Sequence, residues 1–257
     1  MRGPLPRYRA LVEAGALDGD PAQEAAAERL QRLEEDLARR GGFFGRRGRP
    51  RGVYLWGAVG RGKSLLMDIF FNNSHVARKR RVHFHEFMAE THERIARFRA
   101  LDDRAKRRHP GSAKSPGDPM PPVAHDIAAK GRLLCFDEFQ VNDVADAMIL
   151  GRLFEALFAR GVAIVATSNR HPDDLYKDGL NRQLFLPFID MLKTRLDVVE
   201  LAAARDYRLA RLAGAPVYYA PLGPGADAAM DAAWARFISD ATEREEVIEV
   251  KGRKNDV

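Results

Sequence analysis

The sequence predicts an α/β fold of the P-loop type, a mainly parallel sheet with helices on both faces. Two observations carry that expectation. From Val53 onward short apolar strands alternate with helix-length segments, and a glycine-rich phosphate-binding motif lies between the first of those strands and the first of those helices. A third agrees with them: a later apolar run ends in two acids, Asp137 and Glu138, at the kind of strand end where ligands bind in open α/β sheets.

Ahead of the alternation, Asp20, Pro21 and Gln23 make a helix start, with a capping side chain, a proline in the first turn and a glutamine three residues after the cap. Leu30, Leu33 and Leu37 recur at helical spacing until Gly41 and Gly42 stop the helix. The basic, glycine-rich stretch that follows, through Gly52, reads as an exposed connector. Strands are then expected at Val53 to Trp56, Val82 to His85, Leu133 to Asp137, Val162 to Thr167 and Asp197 to Leu201. Helices are expected at Lys63 to Phe71, Glu86 to Arg99, Val144 to Arg160 and Asn181 to Thr194. Residues 109–122 hold too much proline and glycine to continue a helix and read as a surface loop or insertion. Beyond Leu201 the pattern weakens to a strand at Val217 to Ala220, a helix around Asp227 to Asp240 and a strand at Val247 to Val250. The organisation expected is an N-terminal helix and connector (1–52), a nucleotide-binding core (53–201) and a C-terminal extension (202–257).

At 257 residues, 46% hydrophobic and 30% charged, the chain belongs to the globular rather than the disordered class. It has no apolar run of about 18 residues and no apolar core near its start, so a cytoplasmic protein is expected. The single cysteine, Cys135, sits in the run LLCF and reads as a buried small hydrophobe. A net charge of +6 and a pI near 9.6 suit an acidic partner, such as nucleic acid, an anionic membrane or an acidic protein. The clusters at Arg46, Arg47, Arg49 and Arg51, at Arg78 to Arg81 and at Arg104 to Arg108 read first as solvated surface in an arginine-rich composition, and only second as a site for such a partner.

The segment GAVGRGKS (Gly57, Ala58, Val59, Gly60, Arg61, Gly62, Lys63, Ser64) satisfies G-x-x-x-x-G-K-[ST] between the strand VYLW and the helix SLLMDIFF. Glycines there let the backbone wrap phosphate oxygens, and the following helix turns its positive end to the anion. Lys63 is placed to reach the β- and γ-phosphates and Ser64 to ligate Mg²⁺, while Arg61 fits no required position and reads as an exposed loop side chain. Asp137 is placed to hold the magnesium through its water shell, and Glu138 to act as base toward the attacking water. The run VAIVATSN puts Asn169 at another strand end, where its amide would orient that water if the strand neighbours the one bearing Asp137. No N-K-x-D tetrapeptide marks guanine specificity. His83, His85 and His92 lack the cysteine or carboxylate cluster that would complete a metal site and read as ordinary strand and helix histidines.

Beyond the two nucleotide motifs, the stretches RKRRVHFHEFM, LLCFDEFQVNDVADAMIL, ATSNRHPDDLYKDGLNRQLFLPFI and RLDVVEL give the chain a resemblance to the ZapE-type AAA+ ATPases. These are bacterial cell-division ATPases related to the mitochondrial lactation-elevated-protein ATPases. The resemblance covers most of residues 53–201. It implies a five-stranded core in the order 5-1-4-3-2, with Asn169 as first sensor. It also implies an arginine finger lent to a neighbouring copy's γ-phosphate: Arg182 is the candidate, with Arg170 and Arg195 as rivals. Members of the family are longer, with a C-terminal helical lid and a second sensor arginine, whereas this chain ends at GRKNDV, so the resemblance implies a C-terminally shortened chain.

The function expected is ATP hydrolysis coupled to work on a protein partner in a homo-oligomer, with ATP and Mg²⁺ as cofactors. The resemblance points to the tubulin-like division ring at the inner membrane. A nucleic-acid loader is the alternative, and a small-molecule kinase is disfavoured by Glu138, since a kinase should avoid an acid that activates water.

Overall fold

The computed structural model describes residues 3–39, 50–112, 117–202, 223–238, 247–250 and 253–256. Two compact units divide the chain, Met1–Asp206 and Tyr207–Val257. In the first, two helices, α1 (Pro4–Glu13) and α2 (Pro21–Arg39), precede strand β1 (Gly52–Trp56), helix α3 (Lys63–Asn73) and strand β2 (Lys79–His83). There follow α4 (Phe84–Ala100), α5 (Asp103–Arg108), α6 (Met120–Lys130), β3 (Leu133–Asp137), α7 (Val144–Ala159), β4 (Ala163–Ser168), α8 (Leu186–Arg195) and β5 (Leu196–Glu200). In the second unit α9 (Pro224–Ile238) precedes an antiparallel pair, β6 (Val247–Val250) and β7 (Arg253–Asp256).

The five strands of the first unit form one wholly parallel sheet in the order β2-β3-β4-β1-β5, which is the expected 5-1-4-3-2. Strands β3 and β4 are buried along their whole length, as strands covered on both faces must be. One face packs on α4, α6, α7 and α8 through an aromatic cluster in which Phe84 and Phe139 lie 4.0 Å apart by ring centroid and Phe136, Phe154 and Phe188 join them. The other face packs on α1, α2 and α3.

The helix read from Asp20 forms as expected. The Asp20 carboxylate accepts from the amides of Ala22 (2.7 Å) and Gln23 (3.0 Å), capping α2. Ala26, Ala27, Leu30 and Leu33 are fully buried against Val53, Leu55, Leu66 and Phe70, so α2 completes one face of the sheet. Leu30→Ala is therefore expected to lower unfolding stability by about 2–5 kcal/mol. A urea melt unchanged from the parent would show that α2 is a detachable appendage.

Several boundaries differ from the sequence reading. His85 lies in α4, because β2 stops at His83 and the buried Phe84 meets the core from the first turn of a helix as well as it would from a strand. The segment expected as one helix from Asn181 is broken: Asn181 is left-handed (φ 57°), residues 182–184 form a 3₁₀ turn, and α8 opens with Pro187 in its first turn. Met120 to Pro122, read as loop, begin α6, whose first turn tolerates two prolines because its amides have no intrahelical partner. Helix α1, again with prolines in its first turn, was not anticipated. The Val217 to Ala220 strand lies outside the described residues, as do Arg46, Arg47 and Arg49.

The cations at Arg78 to Arg81, read as solvated surface or an acidic-partner site, are engaged within the fold. Arg78 donates to the Ala129 carbonyl (2.9 Å), Lys79 to the Ser74 carbonyl (2.8 Å), and Arg80 pairs with Glu90. Arg51 pairs with Asp197 (2.7 Å) and donates to the Lys193 carbonyl (2.9 Å), whereas Arg104, Arg107 and Arg108 are exposed.

Candidate functional site

Strand β1 runs into a loop whose path follows from glycine. Gly57, Gly60 and Gly62 have φ of 153°, 80° and 84°, a region that side chains disfavour. A Cβ on Gly57 would stand 2.7 Å from the Leu201 carbonyl oxygen, and one on Gly62 would stand 2.6 Å from Gln23 Nε2. The bend is thus packed by the residue after β5 on one side and by the start of α2 on the other. Gln23 is buried and donates from Nε2 to the Arg61 carbonyl (3.2 Å). Arg61 itself is half-buried rather than exposed as expected.

Gly62 is also the N-cap of α3 and offers no side chain to its leading amides. Those donors, with the positive end of the helix, make a site for an anion. Lys63, the first residue of α3, donates from Nζ to the carbonyls of Gly57 (2.8 Å) and Ala58 (2.7 Å), which holds the ammonium over the loop. Ala58, Val59 and Ser64 are exposed.

The acidic pair ends β3, two strands from β1, with β4 between them. Asp137 is buried, and its carboxylate accepts from Arg81 Nε (2.6 Å) and Nη2 (3.2 Å). Arg81 also bonds Asp68 on α3. Burial opposes the charge on Arg81, but the hydrogen bonds to Asp137 and Asp68 outweigh it and raise its pKa above the ordinary arginine value. Glu138 is exposed and sits at φ 54°, a left-handed conformation rare for a residue with a long side chain. It is held there by β4: the Glu138 amide donates to Thr167 Oγ1 (3.2 Å) and the Phe139 amide to the Thr167 carbonyl (2.7 Å).

Strand β4 also fixes its own end. Ser168 Oγ donates to the Phe139 carbonyl (2.7 Å), the Gly57 amide donates to the Ser168 carbonyl (3.2 Å), and Tyr54 Oη donates to the Arg170 carbonyl (3.0 Å). The exposed Asn169 therefore follows a residue bonded both to the start of the glycine loop and to the segment after Glu138. The loop, the acidic pair and Asn169 are gathered on the carboxyl edge of three adjoining strands.

The three candidate finger arginines separate. Arg170 is exposed beside Asn169, and Arg182 is half-buried and donates to the Asp173 carbonyl. Arg195 lies at the far end of α8, 5.8 Å over the Phe158 ring, beside a cleft of about 230 Å³ at the opposite edge of the sheet. Of the histidines, His92 bonds Asp146 (2.7 Å), and the rings of His83 and His85 lie 5.8 Å apart. His109, His125 and Asp126 also converge, but the Gly111 amide donates to His109 Nδ1 (3.2 Å). This leaves the ring proton on Nε2, aimed at Asp126 (3.3 Å), and that trio is satisfied as hydrogen bonds.

Sequence reasoning passed over Gln23 and Arg81, one read only as a helix-start residue and the other only as part of a basic cluster. Strand alternation was the available signal for Arg81: in the register of β2 and β3, His83 stands opposite Asp137 and Arg81 opposite Cys135, so Arg81 shares a sheet face with Asp137. A hydroxyl at Ser64 and a carboxylate at Asp137 are hard oxygen donors, and that donor chemistry fits Mg²⁺.

The family model of AFG1-like ATPases matches residues 3–257. The chain is 36% identical over 269 aligned residues to the cell division protein ZapE of Escherichia coli K12, covering 97% of this chain and 68% of that protein. It is 44% identical over 208 residues to lactation elevated protein 1 homolog B of Danio rerio, covering 80% of this chain and 41% of that one. Among solved structures, AMPPCP-bound DnaA from Aquifex aeolicus superposes with a TM-score of 0.49 at 16% identity, over 82% of this chain and 57% of that one.

Proposed function

Because the chain belongs to the AFG1-like ATPase family, we propose that its hydrolysis of ATP drives remodelling of a protein partner in cell division. It is an AAA+ ATPase with a wholly parallel five-stranded core. The observation that carries the reading of its site is the convergence of the glycine loop, Asp137, Glu138 and Asn169 on one edge of β1, β3 and β4.

In this reading the loop amides from Gly57 to Gly62 and the start of α3 take the phosphates, and Lys63 turns from its two loop carbonyls to the β- and γ-phosphate oxygens. Ser64 and Asp137 hold Mg²⁺, whose chemistry at such a site is to neutralise charge on the β- and γ-phosphates. Glu138 accepts the proton of the water that attacks the γ-phosphorus, and the Asn169 amide orients that water. Arg182, lent by a neighbouring copy in a homo-oligomer, stabilises the charge on the transferred group. To do so it must leave the Asp173 carbonyl, and Arg170 is the exposed rival.

The likeness to a named cell-division protein over nearly the whole chain supports the division role, and the resemblance nominates the tubulin-like ring protein as partner. Peripheral association with the inner membrane is the reading the resemblance suggests, and among the described residues no helix is long and apolar enough to cross a membrane. Phosphate release on Mg-ATP with no added acceptor is the first test. Steady release is expected, whereas ADP formation that needs an added small-molecule acceptor, with the phosphoryl group carried on that acceptor and no phosphate released, would make the chain a kinase. Sedimentation of ring-protein filaments then tests the partner: an ATP-dependent loss of pelleted polymer, absent with a nonhydrolysable analogue, is the expected result.

A further inference from the structure

Asp137 and Ser64 stand on different elements, β3 and α3, and two donors must be set at a fixed separation to share one ion. Beside their apolar packing, one polar side chain bonds to both elements. Arg81, on the neighbouring strand β2, donates from Nε and Nη2 to the two oxygens of Asp137 at 2.6 and 3.2 Å, and from Nη1 to Asp68. Asp68 lies four residues after Ser64 and therefore on the same face of α3, one turn further along. The guanidinium thus spans from the strand that carries one oxygen donor to the helix that carries the other. Arginine suits this place because its planar fork meets a carboxylate along two lines and leaves a third nitrogen for a second acid.

We infer that Arg81 is a positioning residue for the Mg²⁺ site, bracing the Asp137 carboxylate against the helix that bears Ser64. The inference rests on the assignment of Ser64 and Asp137 to magnesium and adds to it the residue that sets their geometry. Two hydrogen bonds fix the plane of the carboxylate, while each of its oxygens keeps a lone pair for a water of the metal's shell. The charge also matters: without a cation between them, Asp68 and Asp137 would face each other as two anions. A lysine would restore the charge as a point but could not hold both oxygens.

The test is equilibrium binding of methylanthraniloyl-labelled ATP by the full chain, titrated with MgCl₂ and compared with binding in EDTA. It covers the parent, Arg81→Lys, Arg81→Met and Asp68→Asn, each with a melting curve. Loss of an outer partner of a metal ligand costs about 10–100-fold in metal affinity, so Arg81→Lys should move the magnesium midpoint up by about tenfold and Arg81→Met by more. Asp68→Asn should move it up by less, because the fork on Asp137 survives. Binding in EDTA should change less than about twofold in all three, since the phosphate loop is untouched.

Midpoints of folded Arg81 variants within about twofold of the parent would overturn the inference, and so would a lower midpoint in Arg81→Met, which would mean that the guanidinium repels the ion instead of shaping its site. If Arg81→Met melts too low to be measured, Arg81→Lys and Asp68→Asn decide the matter. A parent chain that does not take up the probe even in EDTA overturns the nucleotide site itself, and that result is distinguishable from a parent that binds and variants that do not shift.

Discussion

Lys63→Ala is expected to leave the chain folded and to abolish tight nucleotide binding. The ammonium is held by the carbonyls of Gly57 and Ala58, at 2.8 and 2.7 Å, so it waits at the loop and loses little chain entropy when it turns to a phosphate. A hydrogen bond to a charged group contributes about 1.5–3 kcal/mol, and two such bonds to phosphate oxygens therefore amount to about 3–6 kcal/mol. Since each 1.4 kcal/mol is about tenfold, the dissociation constant should rise by at least about a hundredfold. The same substitution removes two contacts from the ligand-free loop. The bond to the Ala58 carbonyl is exposed and the one to the Gly57 carbonyl only part-buried, so water can replace much of the lost donor and the melting temperature should fall by only a few degrees. Calorimetric titration with ATP, run beside a thermal melt, checks both halves. Affinity within about threefold of the parent in a folded variant would mean that the triphosphate does not lie in this loop.

The sequence made the sheet and the loop legible because each is written in local pattern. The runs VYLW, LLCF and AIVAT are too apolar and too short to be anything but buried strands, and G-x-x-x-x-G-K-[ST] imposes a backbone path that few other residues permit. Legibility failed where a side chain's role depends on a neighbour distant in sequence. Arg81 sits among four consecutive cations and looks like surface, yet its partner is 56 residues away. Gln23 fits a helix-start pattern, and only the packing of α2 against the loop gives it a second role beside Gly62, with its hydrogen-bond acceptor, the Arg61 carbonyl, 38 residues away. Prolines misled in the other direction. Pro121 and Pro122 look like helix breakers in a linear scan, whereas each stands in a first turn, where the missing amide has no partner to lose. The proposed finger is the hardest to read, since a role toward a second copy leaves no mark in a residue's contacts within its own chain, where Arg182 simply donates to the Asp173 carbonyl.

Glu138→Gln should retain ATP and stop its hydrolysis, and the backbone at this residue says why the two effects separate. Glu138 is held at φ 54° by the amide bonds to Thr167 on β4, a conformation that costs about 1 kcal/mol or more for a residue with a Cβ. Glycine would relieve that cost, so the carboxylate is being carried there against the backbone preference, at the end of the strand next to the one that leads into Asn169. Glutamine has the same size and the same backbone cost, so the loop, Asp137 and the Thr167 contacts are expected to stay in place and the ATP dissociation constant to stay within about twofold. What glutamine lacks is a basic oxygen. A general base contributes about 10²–10⁴-fold, so single-turnover phosphate release should slow by that factor while bound ATP accumulates. Hydrolysis at the parental rate would remove Glu138 as the base and move the search to another acceptor near Asn169. A parallel loss of binding would instead mean that the carboxylate shapes the loop.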